Sequence, residues 1–578
     1  MTERRLRIGG ASGAWGDSPG GLPQLLGAGV DYVMMDYLAE VTMSLLARAR
    51  LRDPAAGFPP DFLAFVTPHL GTLAKQGVRL VTNAGGVNPL GCKAALEAAI
   101  AAQGLALKVG VVLGDDVLEL PITAAATPKR LLTANAYLGA LPIAAALAAG
   151  ADIVITGRCV DSALALGILM HEFGWAADDY PKLGAGSLVG HILECGPQAT
   201  GGTFTDWDLV PDSYNIGYPI ADCAADGSFI VGKPDGTGGL VTIGTVGEQM
   251  LYEVGDPAAY LLPDVAADFS QVRLRQIGLD RVLVENAGGR APGPRYKVSA
   301  TYQDGYRATA TMSIVGPRAA EKAERTAAAL LARAATLFAE ARLAGFTATQ
   351  VEALGAEASY PARTSSREVL LRVVVLHPSR AAIDLFAREV GAFTLAGVPG
   401  TTGIYGGRPK ATPQVRLFTF FVDKAALPAP IVRVGDGPDV LVPVPVSEAT
   451  APGFVSPPAL PIPDGPTVTM KLSRLAFARS GDKGDSSNVA IIARRPDLLP
   501  LLRREVTVER VLDMLGHLAE GPATRFEAPG IHALNFVIEN ALGGGGMASL
   551  RIDPQGKAYG QMVLEMEIAV PMALLPGD

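Results

Sequence analysis

Through the first 165 residues, short apolar runs end in small or polar residues, and Ala- and Leu-rich stretches follow them. The runs are "LRIGGASGAWGD" (6–17), "VDYVMMDYLAE" (30–40), "GVRLVTNAGGVNP" (77–89), "LKVGVVLGDD" (107–116) and "ADIVITGRCVDSA" (151–163). Between them, "CKAALEAAIAAQG" (92–104) and "YLGALPIAAALAAG" (137–150) read as helices. Strands alternating with helices at this interval predict a parallel sheet covered on both faces. Near-continuous apolar strands fit that burial. The expected core is a doubly wound, Rossmann-like α/β unit over 1–185.

The texture then changes. From 186 to 320, apolar and polar residues alternate between Gly and Asp turns, which predicts a β-rich part. Residues 318–345 carry apolar positions at three- and four-residue steps and read as one long helix. Further β/α units follow across 321–435, closing a large region over 1–435. The proline-rich stretch 436–467 reads as an extended linker. The remainder, 468–578, reads as a small α+β domain of ferredoxin-like type. Within it, "RSGDKGDSSN" (479–488) interrupts two apolar runs and reads as a long polar loop.

Composition narrows the classes. Hydrophobic residues make up 49% of 578 and charged residues 18%, enough for a large core. A net charge of −8 offers no basic surface for nucleic acid. Mean hydropathy is +0.27, yet no long uncharged apolar run marks a membrane span. "MTERRLRIGG" lacks the apolar segment of a signal peptide, and the four cysteines form no CxxC pair. A reduced, cytoplasmic setting follows. The six histidines show no HxxxH or HxH spacing, so no His-based metal site is expected. Ala-rich apolar helices favour a homo-oligomer.

In a parallel sheet, ligands bind beyond the carboxyl ends of the strands. Asp36, Asn83, Arg158 and Asp161 follow such ends and are the candidate catalytic set: carboxylates for proton transfer, an amide for a carbonyl, a guanidinium for an anion. Candidate substrate-binding residues are Gly10, Ser12, Gly13 and Asp17 in the first loop, Gly85 and Gly86 after the third run, and Lys233 in a Gly-rich turn. The first loop lacks a dinucleotide fingerprint, so no redox cofactor is expected. Glycine amides at Gly85–Gly86 suit an oxyanion hole. Turn and helix-cap chemistry favours the same residue types without any ligand. Cys159 reads as a buried, inert thiol, and His191, Glu194 and Cys195 share a helical face. In the 479–488 stretch, Arg479, Lys483 and Ser486 suit an anionic ligand; a divalent cation on Asp482 and Asp485 is one alternative, domain docking another.

The stretches "GGASGAWGDSP", "DYLAEVTMSLLARAR", "TNAGGVNP", "TGRCVDSALALG", "KPDGTGGLVTIGTVGEQMLYEVGDP" and "ARSGDKGDSSN" together resemble the acyclic terpene utilisation (AtuA-like) family over nearly the whole chain. The resemblance implies a part in branched-chain or terpenoid acyl-CoA catabolism. With no redox motif present, it leads to an expected hydratase, lyase or hydrolase acting on an acyl-CoA or its carboxylic acid. The alternative is a non-catalytic binding or scaffold subunit of a carboxylase-type acyl-CoA complex.

Overall fold

All five apolar runs of the first 165 residues are strands or begin with one: β1 (Arg5–Gly10), β2 (Tyr32–Met35), β3 (Arg79–Thr82), β4 (Val109–Leu113), and, after β5 (Leu131–Ala136), β6 (Ile153–Thr156). In the computed structural model, which describes residues 4–120, 128, 130–362, 364–448 and 461–575, they lie in the order β1-β2-β3-β6-β4. Every neighbouring pair is parallel, with Val33 opposite Leu80 and Val81 opposite Val154. Alternate side chains enter two cores. Val33, Met35, Leu80 and Ile153 meet the helices Gly21–Gly27 and Pro89–Ala102; Tyr32, Met34, Val81 and Val154 meet Leu141–Ala148, Ala163–Phe173 and Tyr180–Leu193. Both faces being covered explains strands without a polar side.

The sheet does not stop at its parallel part. Ile220–Ala224 runs antiparallel to β1, and further strands extend that edge through Phe229–Gly232, Arg281–Glu285 and Arg273–Gly278. Ile431–Val434 closes the other side of β4, and the sheet reaches eleven strands. Much of the β-rich stretch is therefore an extension of the first sheet, pairing an edge that would otherwise be open. β5 leaves for a second, six-stranded sheet built on the 21-residue strand Arg295–Val315. The helices Ala319–Glu340 and Arg380–Ala396 pack on that sheet around Leu330, Phe338 and Phe386.

The proline-rich stretch is only partly a spacer. Val440–Leu441 pairs with Ile431–Val434, and Val442 is buried in the main core; residues 449–460 lie outside the described ones. The small C-terminal unit carries an antiparallel four-stranded sheet in the order Ala476–Lys483, Ser486–Ala493, Ala533–Ile538, Ala523–Ala528. The polar stretch within it is a tight hairpin rather than a long loop. Lys483 pairs with Ser486 across a two-residue turn in which Gly484 takes φ +66°.

Burial explains why that hairpin looks like a loop in the sequence. Arg479, Ser480, Ser487 and Asn488 are all buried; Arg479, Ser480 and Asn488 bond to other segments, and Ser487 donates to the Gly481 carbonyl within the hairpin. Asn488 donates to the Leu251 carbonyl at 2.8 Å and accepts from the Glu253 amide at 2.9 Å. Arg479 donates to the Thr203 carbonyl at 3.0 Å and lies 4.6 Å from the Tyr252 ring. Arg494 grips Asp206 through two bonds of 2.6 Å. The docking reading of this stretch is thus realised for Arg479 and Asn488. Among the described residues, no helix is long and apolar enough to cross a membrane.

Asn488→Ala strips the Leu251 carbonyl and the Glu253 amide of their buried partner, at a cost of about 2–4 kcal/mol. A urea titration should show the midpoint falling accordingly. A midpoint unchanged from wild type contradicts the docking role.

Candidate functional site

Three glycines draw one helix end into the strand-end edge. A Cβ at Gly10 would stand 2.5 Å from the Leu193 carbonyl oxygen, and one at Gly13 2.7 Å from the Cys195 backbone. A Cβ at Gly190 would stand 2.4 Å from the Ser162 carbonyl oxygen. The end of Tyr180–Leu193 therefore wedges between the loop after β1 and the loop after β6. Its next residue, Glu194, is carried within reach of Asp161 in the loop after β6 and of Asp36 after β2. The glycines of the first loop act here as close-packing positions.

Asp36 follows β2 and is 6% exposed. Its Oδ1 accepts from Asn83 Nδ2 at 2.6 Å and from the Leu38 amide at 3.0 Å. Among the described residues, nothing donates to its Oδ2. Ser12 fixes the same turn, its Oγ donating to the Asp36 carbonyl at 2.7 Å. Burial pushes the Asp36 carboxyl well above the usual carboxylate range, and the Asp161 charge pushes it further; the Asn83 hydrogen bond and the Arg158 guanidinium oppose this.

Arg158 follows β6 and is 3% exposed. Its Nη1 donates to the Leu38 carbonyl at 2.8 Å and to Asp161 Oδ1 at 2.6 Å. Its guanidinium sits 4.2 Å from the Tyr137 ring centroid, and Lys297 Nζ lies 4.6 Å from the same centroid. Asp115, after β4, holds this loop by accepting from the Arg158 amide and from Asn135, each at 2.8 Å. Burial raises the Asp115 carboxyl to about 6. Asp36, Asn83, Arg158 and Asp161 are thus brought together. Asp161, with its side chain 30% exposed, faces solvent.

Glu194 and His191 complete the cluster. His191 Nδ1 lies 2.9 Å from Glu194 Oε1, and the ring is 1% exposed between Tyr260 and Phe269, at 5.7 and 6.3 Å. His191 Nε2 has no hydrogen-bond partner among the described residues. Burial raises the Glu194 carboxyl, with Asp161 adding to the rise and His191 opposing it. The i, i+3 spacing of His191 and Glu194 is visible in the sequence; their position against Asp36 and Asp161 is not. Lys483 reaches the outer side from the C-terminal domain, 5.1 Å from the Tyr260 ring.

Other candidates have different employment. The Gly85 amide donates to the Thr156 carbonyl at 3.0 Å and the Gly86 amide to the Asn83 carbonyl at 3.3 Å, so neither N–H is available for an oxyanion. Asn83 is likewise engaged, its Oδ1 accepting from the Tyr37 amide at 2.8 Å. Asp17 clasps its own loop, accepting from the Gly13 amide and the Tyr218 hydroxyl at 2.9 and 2.6 Å. Lys233 lies apart from the cluster, bonded to the Thr237 carbonyl at 2.8 Å and paired with Asp280 at 3.2 Å. It lines a cavity of about 940 Å³ together with Arg7, Asp222 and Arg281. That cavity is roomy, but none of the strand-end carboxyls Asp36, Asp115 and Asp161 lines it. Arg479 serves the domain seam, and Ser486 sits at the base of the hairpin opposite Lys483. Burial raises the thiols of Cys159 and Cys195, which disfavours a thiolate nucleophile. Asp482 and Asp485 turn to different partners, Gln555 for one and the Leu542 and Gly544 amides for the other. Among the described residues, no group of three His, Cys, Asp or Glu side chains is placed to hold a metal ion.

Comparison with known families agrees with the resemblance. The model of the acyclic terpene utilisation family protein AtuA matches residues 6–432, and that of the AtuA ferredoxin-like domain matches residues 470–569. The chain belongs to the AtuA family, and its C-terminal domain is of the ferredoxin-like kind that accompanies it. No curated protein matches the chain in sequence. Membership associates the chain with acyclic terpene utilisation.

Buried acids give the fold a distinct pH dependence. Glu248, on the helix that meets the C-terminal hairpin, is raised by burial from 4.5 to about 7. The native state binds its proton more tightly than the unfolded chain does. Its contribution is therefore full below about pH 4.5 and is lost as pH rises through about 7. The loss is on the order of 3 kcal/mol. Glu248→Gln should flatten the decline of thermal stability across that window, read by calorimetry at several pH values. An identical decline in wild type and variant refutes the assignment.

Proposed function

We propose that the chain is a non-redox enzyme acting on a branched or terpenoid acyl-CoA, or on the corresponding carboxylic acid. The observation that carries this reading is the Asp36 carboxyl. It is desolvated, held through one oxygen by Asn83, uncommitted at the other, and set near the Arg158–Asp161 pair. A carboxyl whose proton affinity is lifted well above the usual carboxylate range suits proton transfer at a carbon next to a carbonyl. Asn83 orients Asp36 rather than the substrate. Arg158, with Lys297 beyond the shared Tyr137 ring, supplies the positive charge toward which a carboxylate or enolate oxygen would turn. Lys483 places a cation on the outer side, where a CoA phosphate or a free carboxylate would be met.

The reading predicts micromolar binding of at least one branched acyl-CoA by calorimetry. It further predicts that Asp36→Asn lowers turnover about 10²–10⁴-fold while binding stays within about threefold. Absence of binding to every ester in a panel of CoA thioesters contradicts it. Co-purification with a partner at fixed stoichiometry, with no turnover by the isolated chain, would favour a scaffold subunit instead.

A further inference from the structure

The cluster contains a second carboxyl that the reading above does not use. Glu194 enters from the side of the Tyr180–Leu193 helix, whereas Asp36 enters from β2. Each commits one oxygen, Asp36 to Asn83 and the Leu38 amide, Glu194 to His191. Among the described residues, the remaining oxygen of each has no donor. The charge of Glu194 reaches Asp36, and that of Asp161 reaches both. The chain therefore holds two carboxyls separately, on different elements, within electrostatic reach of one another where the helix end packs against the strand-end loops.

We infer that Glu194 is the second proton-transfer group of this site, that His191 positions it, and that the two carboxyls together add and remove water across the α,β-bond of an acyl thioester. This rests on the proposed function and commits it to hydration and dehydration among the three reaction types. In the dehydration direction Asp36 takes the proton from the α-carbon, and that electron pair becomes the C=C bond. The C–O bond at the β-carbon breaks, and Glu194 gives its proton to the leaving hydroxyl. Water departs, with Asp36 now protonated and Glu194 ionised; hydration is the reverse. No oxidant, reductant or metal enters the balance. A hydrolase built on a thiolate of Cys159 or Cys195, or on an oxyanion hole at Gly85–Gly86, is disfavoured by the raised thiols and the committed amides.

His191 is a positioning residue, since its ring is closed off by Tyr260 and Phe269 and its Nδ1 faces only Glu194. The charged or titratable groups that face Glu194 are His191 from its own helix, the adjoining Cys195, Asp161 from the β6 loop, Asp36 from the β2 loop, Tyr260, and Glu253 from the segment anchored by Asn488. In either direction the active form carries one proton shared between the two carboxyls. The alkaline limb of the rate profile marks its loss.

The test separates the two carboxyls. Isovaleryl-CoA in deuterated water reports α-hydrogen exchange, which needs Asp36 alone, by mass spectrometry. Crotonyl-CoA and 3-methylcrotonyl-CoA report hydration, which needs both, by chromatography of the hydroxyacyl product. Glu194→Gln retains a hydrogen bond to His191. It should lose about 10²-fold or more in hydration while exchange stays within about threefold. If that variant does not fold, Glu194→Asp, one methylene shorter, is expected to give the same split. His191→Phe should move the alkaline limb of hydration upward, because Glu194 loses its donor, and His191→Gln should restore it. Hydration by E194Q at the wild-type rate, equal loss of both activities, or a wild type that exchanges but hydrates neither ester overturns the inference alone. A wild type that neither exchanges nor binds overturns the proposed function as well.

Discussion

Taking a carboxylate out of water costs several kcal/mol, and a single guanidinium near it returns only part of that. Asp161 touches one such group, Arg158, at 2.6 Å, Asp36 lies within its reach, and Glu194 lies within reach of both acids. At an effective dielectric near 20, a unit charge pair about 4 Å apart is worth about 4 kcal/mol. Arg158 can therefore compensate one neighbour well, and Asp161 already occupies it. The remaining acids are left with hydrogen bonds and, for Glu194, a histidine. The consequence is a strand-end cluster that holds protons to higher pH than isolated carboxyls would. The proposed chemistry depends on that retention.

The architecture works to keep the arrangement in place. Gly10, Gly13 and Gly190 permit backbone-to-backbone approach that any larger residue would block, which sets Glu194 against the two loops. The C-terminal domain contributes from the other side. Asn488 ties down Leu251 and Glu253, and Glu253 is held in the left-handed region at φ +58°. Gly481 lies so close to Tyr252 that a Cβ there would stand 2.5 Å from the ring. The ferredoxin-like unit is thus a wall of the same neighbourhood, and its Lys483 lies over the Tyr260 ring.

The strand ends were legible in the sequence because parallel strands carry a simple signature. A run such as "DIVITGR" is apolar until the sheet ends, and its first polar side chains then fall on one edge. Asp36, Asn83, Arg158 and Asp161 follow from that rule alone. The hairpin at 479–488 was not legible. Its strands carry Arg479, Ser480, Ser487 and Asn488 inward, where three of them bond to other segments and Ser487 to its own hairpin, and hydropathy registers such residues as surface. The roles of Gly10 and Gly13 were misread for a related reason: a glycine that admits a ligand and one that admits a helix look alike in one dimension. The His191–Glu194 spacing was visible, but its partners sit on β2 and β6, more than twenty residues away along the chain. The antiparallel extension beyond β1 was hidden because short strands of four to six residues do not announce which sheet they join.

The most direct test of the central claim is the protonation state of Asp36 itself. Isotope-edited infrared spectroscopy of protein carrying ¹³C-labelled aspartate distinguishes a protonated carboxyl from a carboxylate. The account predicts a protonated-carboxyl band that persists well above the ordinary aspartate pKa of about 3.9 and is diminished in Asp36→Asn. If every aspartate is ionised by about pH 5, or if the band is unaffected by that substitution, the strand-end cluster does not hold its proton at Asp36 and the account fails.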